Sequence, residues 1–190
     1  MYSGKNMRVI AGKFRSRPLR SLRGMDLRPT ADRLRETLFD VLTAGNPSAL
    51  TGTVWLDLYA GTGAVGIEAI SRGAGMVYFV DSSARATELV MQNLQSLGIA
   101  TGFQVLKQDS VRSLGTLEAE ADFIFLDPPY RMQDQYREAL EAIGKSSRIK
   151  ENIVVIAEHE KRFDPGDVFG TLQRYRKLEQ GDAALSFYRK

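Results

Sequence analysis

An α/β fold built on a mostly parallel sheet is predicted for this 190-residue chain by three observations. From Thr53 onward, short apolar β-prone runs alternate with amphipathic stretches, the pattern of strands joined by helical crossovers. The first run, Val54-Trp-Leu-Asp-Leu-Tyr59, breaks at Gly61-Thr62-Gly63 and resumes as a helix, the strand–turn–helix order of a nucleotide-binding loop. Near the end, residues 168–178 and 183–189 read as an antiparallel pair with no helix between them. A parallel sheet therefore closes on a hairpin.

A basic segment precedes the sheet. Arg8-Val-Ile-Ala-Gly-Lys-Phe14 and Arg17-Pro-Leu-Arg-Ser-Leu22 read as two short strands joined around Lys13–Ser16. They make a small β-hairpin extension over 1–29, ahead of a main domain over 30–190. Thr30 can N-cap a helix running to about Thr43, with Leu34, Leu38, Val41 and Leu42 on one face and Arg33, Arg35 and Glu36 off it. Gly45-Asn-Pro ends that helix. Strands are expected at 53–58, 76–80, 103–107, 122–126 and 152–157, and helices at 64–72, 83–97 and 133–144. With the closing pair, the sheet has seven strands.

The composition, 43% hydrophobic and 26% charged, is ordinary for a soluble domain. The absence of cysteine excludes disulfides and thiolate metal sites, and a single histidine argues against a zinc cluster, so no metal is expected. No apolar run approaches the ~20 residues of a membrane span, and no signal-peptide core is present, so a cytoplasmic protein without a membrane partner is expected. The charge is asymmetric. Residues 1–35 hold ten lysines and arginines against Asp26 and Asp32, a net of +8, while the remainder is net −5. Apolar residues interleave with those cations (Val9, Ile10, Phe14, Leu19, Leu22), which suggests a folded ribbon with a basic face and a polyanionic partner.

The glycine loop admits two ligands. Gly61, Gly63 and Gly66 fit G-x-G-x-x-G, and Asp81 ends the next apolar run, where an acid can hold ribose hydroxyls as in NAD enzymes. The same pattern serves S-adenosylmethionine. Asp57, four residues before Gly61, separates the two, because a carboxylate there repels a pyrophosphate and suits the cationic amino group of a methionine moiety. Asp57, Asp81 and Asp109 all fall at strand C-termini, where open α/β sheets bind ligands. On the adenosylmethionine reading Asp57 faces the methionine end, Asp81 takes the ribose, and Asp109 or adjacent backbone at Ser110 takes the adenine amine. Tyr59, Ala60, Thr62 and Ser82 complete the candidate cofactor set. Any one such acid is commonly a cap or turn residue; three in register carry more weight.

The sharpest motif is Asp127-Pro128-Pro129-Tyr130, directly after Asp122-Phe-Ile-Phe-Leu126. It suits methylation of an exocyclic amine on a base, whose lone pair is delocalised into the ring. A carboxylate and a proline carbonyl accepting its two hydrogens draw the nitrogen toward a tetrahedral, nucleophilic geometry. Tyr130 can stack on an unpaired or flipped base. His159, after the fifth strand, reads as a surface or loop residue outside the site.

These motifs resemble the RsmD-type bacterial methyltransferases, which modify the N2 amine of a guanine in small-subunit (16S) ribosomal RNA. The resemblance runs from Met7 through nearly the whole chain. It is most specific at Met7-Arg-Val-Ile-Ala-Gly-Lys-Phe-Arg15 and Leu27-Arg-Pro-Thr-Ala-Asp-Arg-Leu-Arg-Glu-Thr-Leu-Phe39, and extends to Leu56-Asp-Leu-Tyr-Ala-Gly-Thr-Gly-Ala64 and Asp127–Tyr130. It implies a Rossmann-like class I S-adenosylmethionine-dependent methyltransferase fold whose N-terminal extension helps bind RNA. It also implies S-adenosylmethionine as donor and guanine N2 as acceptor, in RNA within an assembled or partly assembled 30S subunit. Cofactor roles pass to Asp57, Gly61, Gly63, Asp81 and Asp109, and target-base roles to Asp127, Pro128 and Tyr130. Arg28, Thr30, Arg33 and Arg35 match the second motif and are expected near the cofactor and RNA entrance; with Arg8, Lys13, Arg15 and Arg17 they form the expected RNA-binding set. A monomer is expected. Three rivals remain: an amino-methyltransferase of another RNA or of DNA adenine or cytosine, an NAD-dependent oxidoreductase, and a non-catalytic assembly factor. The first shares the Asp127 motif, the second lacks an evident proton donor, and the third predicts a broken motif.

Overall fold

A computed structural model describes residues 7–21, 29–117, 121–129 and 131–190. Five strands, β1 (Val54–Leu58), β2 (Met76–Asp81), β3 (Phe103–Lys107), β4 (Phe123–Leu126) and β5 (Val154–Glu160), run parallel. Three more, β6 (Val168–Phe169), β7 (Leu172–Gln180) and β8 (Ala183–Arg189), add antiparallel. The sheet order is β3-β2-β1-β4-β5-β8-β7-β6, which reverses direction between β1 and β4. That reversal opens a crevice at the strands' C-terminal ends, where ligands of doubly wound sheets bind.

Helices α1 (Pro29–Thr43), α2 (Ala64–Ser71), α3 (Ala84–Leu97), α4 (Ser110–Leu117) and α5 (Gln133–Lys145) cover both faces. Strand alternation sorts side chains between two cores. Trp55, Val77, Phe79, Phe125 and Ile156 join Leu34, Leu38, Phe39, Ile67, Val90 and Leu94, on the side of α1, α2 and α3. Leu56, Leu58, Val80, Ile124, Leu126 and Val155 join Leu114, Leu140 and Ile143, on the side of α4 and α5. Trp55 sits between Phe39 and Phe123, with ring centroids 5.4 and 4.6 Å away.

The expected α/β architecture holds, with eight strands in place of seven, α1 beginning at Pro29 so that Thr30 lies within the helix, and further local differences. Helix α4 was not anticipated; its eight residues, Ser-Val-Arg-Ser-Leu-Gly-Thr-Leu, carry only three large apolar side chains, too few for a strong periodic signal. The run at 168–178 is split into β6 and β7 at Gly170, where Thr171 turns to donate its N–H to the Gly144 carbonyl of α5 at 2.8 Å. The expected N-terminal pair forms as a short, irregular ribbon around a 3-10 turn at Gly12–Phe14: Val9 N–H donates to Arg17 O at 3.0 Å, Ser16 N–H to Val9 O at 2.8 Å and Leu19 N–H to Met7 O at 2.7 Å, with Arg8 and Pro18 bridged. The remaining donors turn outward, which keeps the ladder short. The N–H groups of Ile10 and Ala11 go to the Glu68 carboxylate and that of Phe14 to Ser71 Oγ, while Pro18 has none to give. The segment from Met7 is thus strapped onto α2, with Val9 and Leu19 buried in the core.

Candidate active site

The glycine loop is built by two close approaches. Gly63 has φ +77° as it N-caps α2, a left-handed conformation that favours glycine. Gly66 needs the absence of a side chain, since a Cβ there would lie 2.3 Å from Phe79 Cε1. Tyr59 enters the loop at φ +65°, unusual for a bulky residue. Its hydroxyl pairs with the Ser110 side chain, and burial raises its pKa to about 12. The Ala60 N–H donates to the Val80 carbonyl at 2.9 Å, and Ala60 O accepts from Gly63 N at 2.7 Å. Of the candidate cofactor residues, Ser82 is exposed. Thr62 turns away from the crevice: its hydroxyl meets Met7 Sδ at 3.5 Å, and its carbonyl accepts from buried Asn93 at 2.9 Å.

The strand-end acids share one face. Asp57 follows Trp55 by two residues, Asp81 follows Phe79, and Asp127 follows Phe125, so alternation turns all three toward the side of α1, α2 and α3. Asp57 is 2% exposed, and its Oδ2 accepts from Gly66 N at 2.9 Å, directly under the glycine loop. Asp81 joins loop to helix, accepting from Gly61 N at 3.0 Å and Ser83 N at 2.8 Å. Asp109 is exposed and caps α4, accepting from Arg112 N at 2.9 Å. Buried Asp57 and part-buried Asp81 and Asp127 put acid groups beside the glycine loop, which disfavours a pyrophosphate and complements a cationic ligand, so these residues fit S-adenosylmethionine better than a dinucleotide.

Burial pushes the Asp57 carboxyl up to about 8, opposed by the Gly66 N–H and reinforced by the charges of Asp127 and Asp81. The unfolded chain ionises this group at the ordinary carboxylate value, while the folded unliganded protein keeps it protonated. Its contribution to stability is therefore complete in acid and lost as pH rises toward about 8. Asp57→Asn keeps an oxygen for Gly66 N–H and should flatten that decline, measured as melting temperature in acid and at mildly alkaline pH. Equal declines in both proteins would refute this account.

Asp127 leaves the end of β4, half-buried, with buried Pro128 and exposed Pro129 after it. Burial raises its carboxyl above the ordinary range. Tyr136 of α5 donates its hydroxyl to the Glu158 carbonyl at 2.7 Å and lies 3.4 Å from the Pro128 carbonyl, pinning the turn to the end of β5. Tyr130 and Arg28 lie outside the described residues, as does the side chain of Thr30.

The expected RNA-binding residues divide. Arg8, Lys13, Arg15, Arg17 and Arg33 are exposed. Arg35 is not: it is 6% exposed, donating from Nη2 to the Arg8 carbonyl at 2.6 Å and Asp32 at 3.0 Å. It holds the N-terminal strap instead of facing solvent. His159 also departs from expectation: β5 extends through it, and it is fully buried, with Nε2 2.9 Å from Ser186 Oγ and Nδ1 2.9 Å from Glu160 O. It stays outside the site.

Sequence reasoning missed Glu68, Asn93 and Glu158. Glu158 was within reach, since it is the first acid after the apolar run Val154–Ala157, the rule that selected Asp57 and Asp81. Glu68 and Asn93 carried no signal, because polar residues on amphipathic helices are usually solvated. Among the described residues no cluster could hold a metal ion, and no helix is long and apolar enough to cross a membrane.

The fold and the acid-lined glycine loop define a class, the S-adenosylmethionine-dependent methyltransferases of class I fold. The solved 16S rRNA N2 G1207 methyltransferase (RsmC) of T. thermophilus, in complex with AdoMet and guanosine, shares this fold: TM-score 0.70 over 89% of this chain and 45% of that one, at 22% identity. The solved Escherichia coli protein yhhF gives a TM-score of 0.81 at 27% identity over 97% of both chains. Within the class, the chain belongs to the RsmD-type family, whose model, described as Conserved hypothetical protein 95, matches residues 7–189. YlbH of Bacillus subtilis (strain 168) is 34% identical over 187 residues, 97% of this chain and 99% of the relative. The Ribosomal RNA small subunit methyltransferase D of Escherichia coli (strain K12) is 27% identical over 184 residues, 97% of this chain and 90% of that one.

Proposed function

We propose that this protein methylates the N2 amine of a guanine in small-subunit (16S) ribosomal RNA, using S-adenosylmethionine. The observation that carries this reading is the Asp127-Pro128-Pro129 turn at the end of β4, next to β1 and its glycine loop in the sheet. The relative named Ribosomal RNA small subunit methyltransferase D supports RNA of that subunit as substrate.

When bound, the cofactor supplies a methyl group on a sulfonium, ready for in-line displacement. The chain's task is placement. Asp81 and Asp127 favour a cation, whose approach also favours ionised Asp57, and Asp57 holds the loop through Gly66 N. Asp127 and the Pro128 carbonyl accept from the two hydrogens of the guanine amine, and Asp127 takes the proton released. The base must leave its stack to reach them. Residues 1–29 serve as an RNA-binding extension on the domain at 30–190, with Arg8, Lys13, Arg15 and Arg17 toward the phosphates and Arg28 and Arg33 at the entrance. The substrate is RNA in an assembled or partly assembled subunit, and the enzyme acts as a cytoplasmic monomer.

The deciding experiment offers labelled S-adenosylmethionine with unmodified small subunits, naked 16S RNA and duplex DNA. Label on guanine N2 in the subunit supports the reading, and label on DNA assigns the protein to another amino-methyltransferase class. Phosphate contacts should dominate binding, so log affinity falls linearly with log salt. Changing Lys13 and Arg15 to glutamine should reduce that slope by about 0.7–0.9 per residue, measured by fluorescence anisotropy. Salt-independent binding would count against the basic extension as the RNA contact.

A further inference from the structure

We propose that Glu158 and Asp127 form one functional carboxyl pair, in which Glu158, a positioning residue, holds a proton and donates it in a hydrogen bond that orients ionised Asp127 toward the target amine. The inference rests on the methyl-transfer reading. β4 and β5 pair in parallel with Leu126 opposite Ala157, so the next step brings Asp127 and Glu158 abreast at the mouth of the crevice. Both follow the alternation of their strands, Phe125 to Asp127 and Ile156 to Glu158, onto the same face. Tyr136, reaching the Glu158 carbonyl and lying near that of Pro128, keeps the two strand ends together.

Electrostatics then limits the pair to one proton near neutrality. Burial raises the Glu158 carboxyl well above its ordinary range and the adjacent Asp127 charge raises it further, against an opposing pull from Arg35. Burial also raises Asp127. From β1, Asp57 adds like charge to the row when ionised. From α1, Arg35 brings the facing cation, but its guanidinium is engaged with the Arg8 carbonyl and Asp32, and its Nε has no hydrogen-bond partner among the described residues. Two carboxyls so placed ionise in separate steps that belong to the pair. Asp127 loses its proton first and Glu158 keeps one. The proton shed by the amine passes to an Asp127 oxygen, the pair then holds two, and one returns to water before the next turnover.

The test begins with unliganded protein carrying carbon-13 at aspartate and glutamate carboxyls, titrated by NMR from acid to alkaline pH. The Asp127 signal, assigned by its loss in Asp127→Asn, should move in two steps, the second coinciding with Glu158; in Glu158→Gln the second step disappears. In methyl transfer, ionisation of Glu158 should lower the wild-type kcat in alkali; Glu158→Gln keeps a donor that cannot ionise, so it should retain most of the wild-type kcat without that alkaline fall. Glu158→Ala should lower kcat roughly 10- to 100-fold, the loss of one charged hydrogen bond, with KM for RNA unchanged. A single-step Asp127 titration in the wild type, or Glu158 titrating as an ordinary carboxyl, overturns the pairing. Wild-type kcat in Glu158→Ala overturns the positioning role. Coupled titration in a wild-type protein that methylates no RNA overturns the methyl-transfer reading and leaves the pair standing.

Discussion

Asp127→Ala should lower single-turnover methyl transfer by about 10²–10⁴-fold, the usual worth of a positioned proton acceptor, while the protein remains folded. The carboxyl sits at the end of β4, and its burial raises it toward the neutral form. Removing it takes away no hydrogen bond on which α2 or α3 depends, and it deletes a buried charge from the unliganded protein at alkaline pH. Melting temperature should therefore be unchanged or higher above neutrality as the rate collapses. Asp127→Asn separates two duties of the residue. The amide retains an oxygen that accepts from the amine but cannot take the released proton, so its rate should fall between the other two. Quenched-flow transfer of labelled methyl to small subunits, with a thermal melt of each variant, measures both quantities. A rate for Asp127→Ala close to wild type would remove this residue from the chemistry and leave the turn as scaffolding.

Glu68→Ala should produce the largest loss of stability, about 3–5 kcal/mol, the cost of leaving a buried ion-pair network without its anion. Glu68 is fully buried. Its carboxylate accepts from Ile10 N at 2.7 Å, Ala11 N at 2.9 Å and Arg72 Nε at 2.8 Å, and Arg35 Nε lies 4.0 Å away. Without it, two backbone donors and the Arg72 guanidinium lose their acceptor together, and buried Arg35 loses a nearby countercharge. The strap from Met7 should detach from α2, exposing Lys13, Arg15 and Arg17 to trypsin much faster than in the wild type. Glu68→Gln, which can still accept but carries no charge, should lose less. Urea unfolding and limited proteolysis report the two effects separately. Lost stability with undiminished trypsin resistance would mean that Ser71 and Asn93 suffice to hold the strap.

Strand and loop chemistry was legible because it is local. The apolar runs that became β1 to β5, the glycine turn and the acids ending β1 and β2 follow from residue type and spacing, with the alternation that sends Asp57 and Asp81 to one face. Helix α4 escaped because eight residues with three large apolar side chains carry little periodicity. Arg35 and His159 were misplaced for one reason: charge and sequence position suggest solvent, whereas each is buried against partners far away in the chain, Arg35 at Arg8 and His159 at Ser186. The N-terminal ribbon pairs with itself as its sequence pattern predicts, but its anchorage is not legible there, because the acceptor Glu68 lies 58 residues from Ile10.

From residues alone came the α/β class, the glycine loop with Asp57 beneath it, and the Asp127 turn, since each depends on neighbours within a few positions. Tertiary structure alone decided that Glu158 stands abreast of Asp127, and that buried Glu68 and Asn93 tie the basic segment to α2, α3 and the cofactor loop. These depend on strand order and helix docking, which bring together side chains many residues apart. Burial then changes what those side chains do: a carboxylate that is unremarkable in sequence becomes a proton store once neighbouring strands take it out of water.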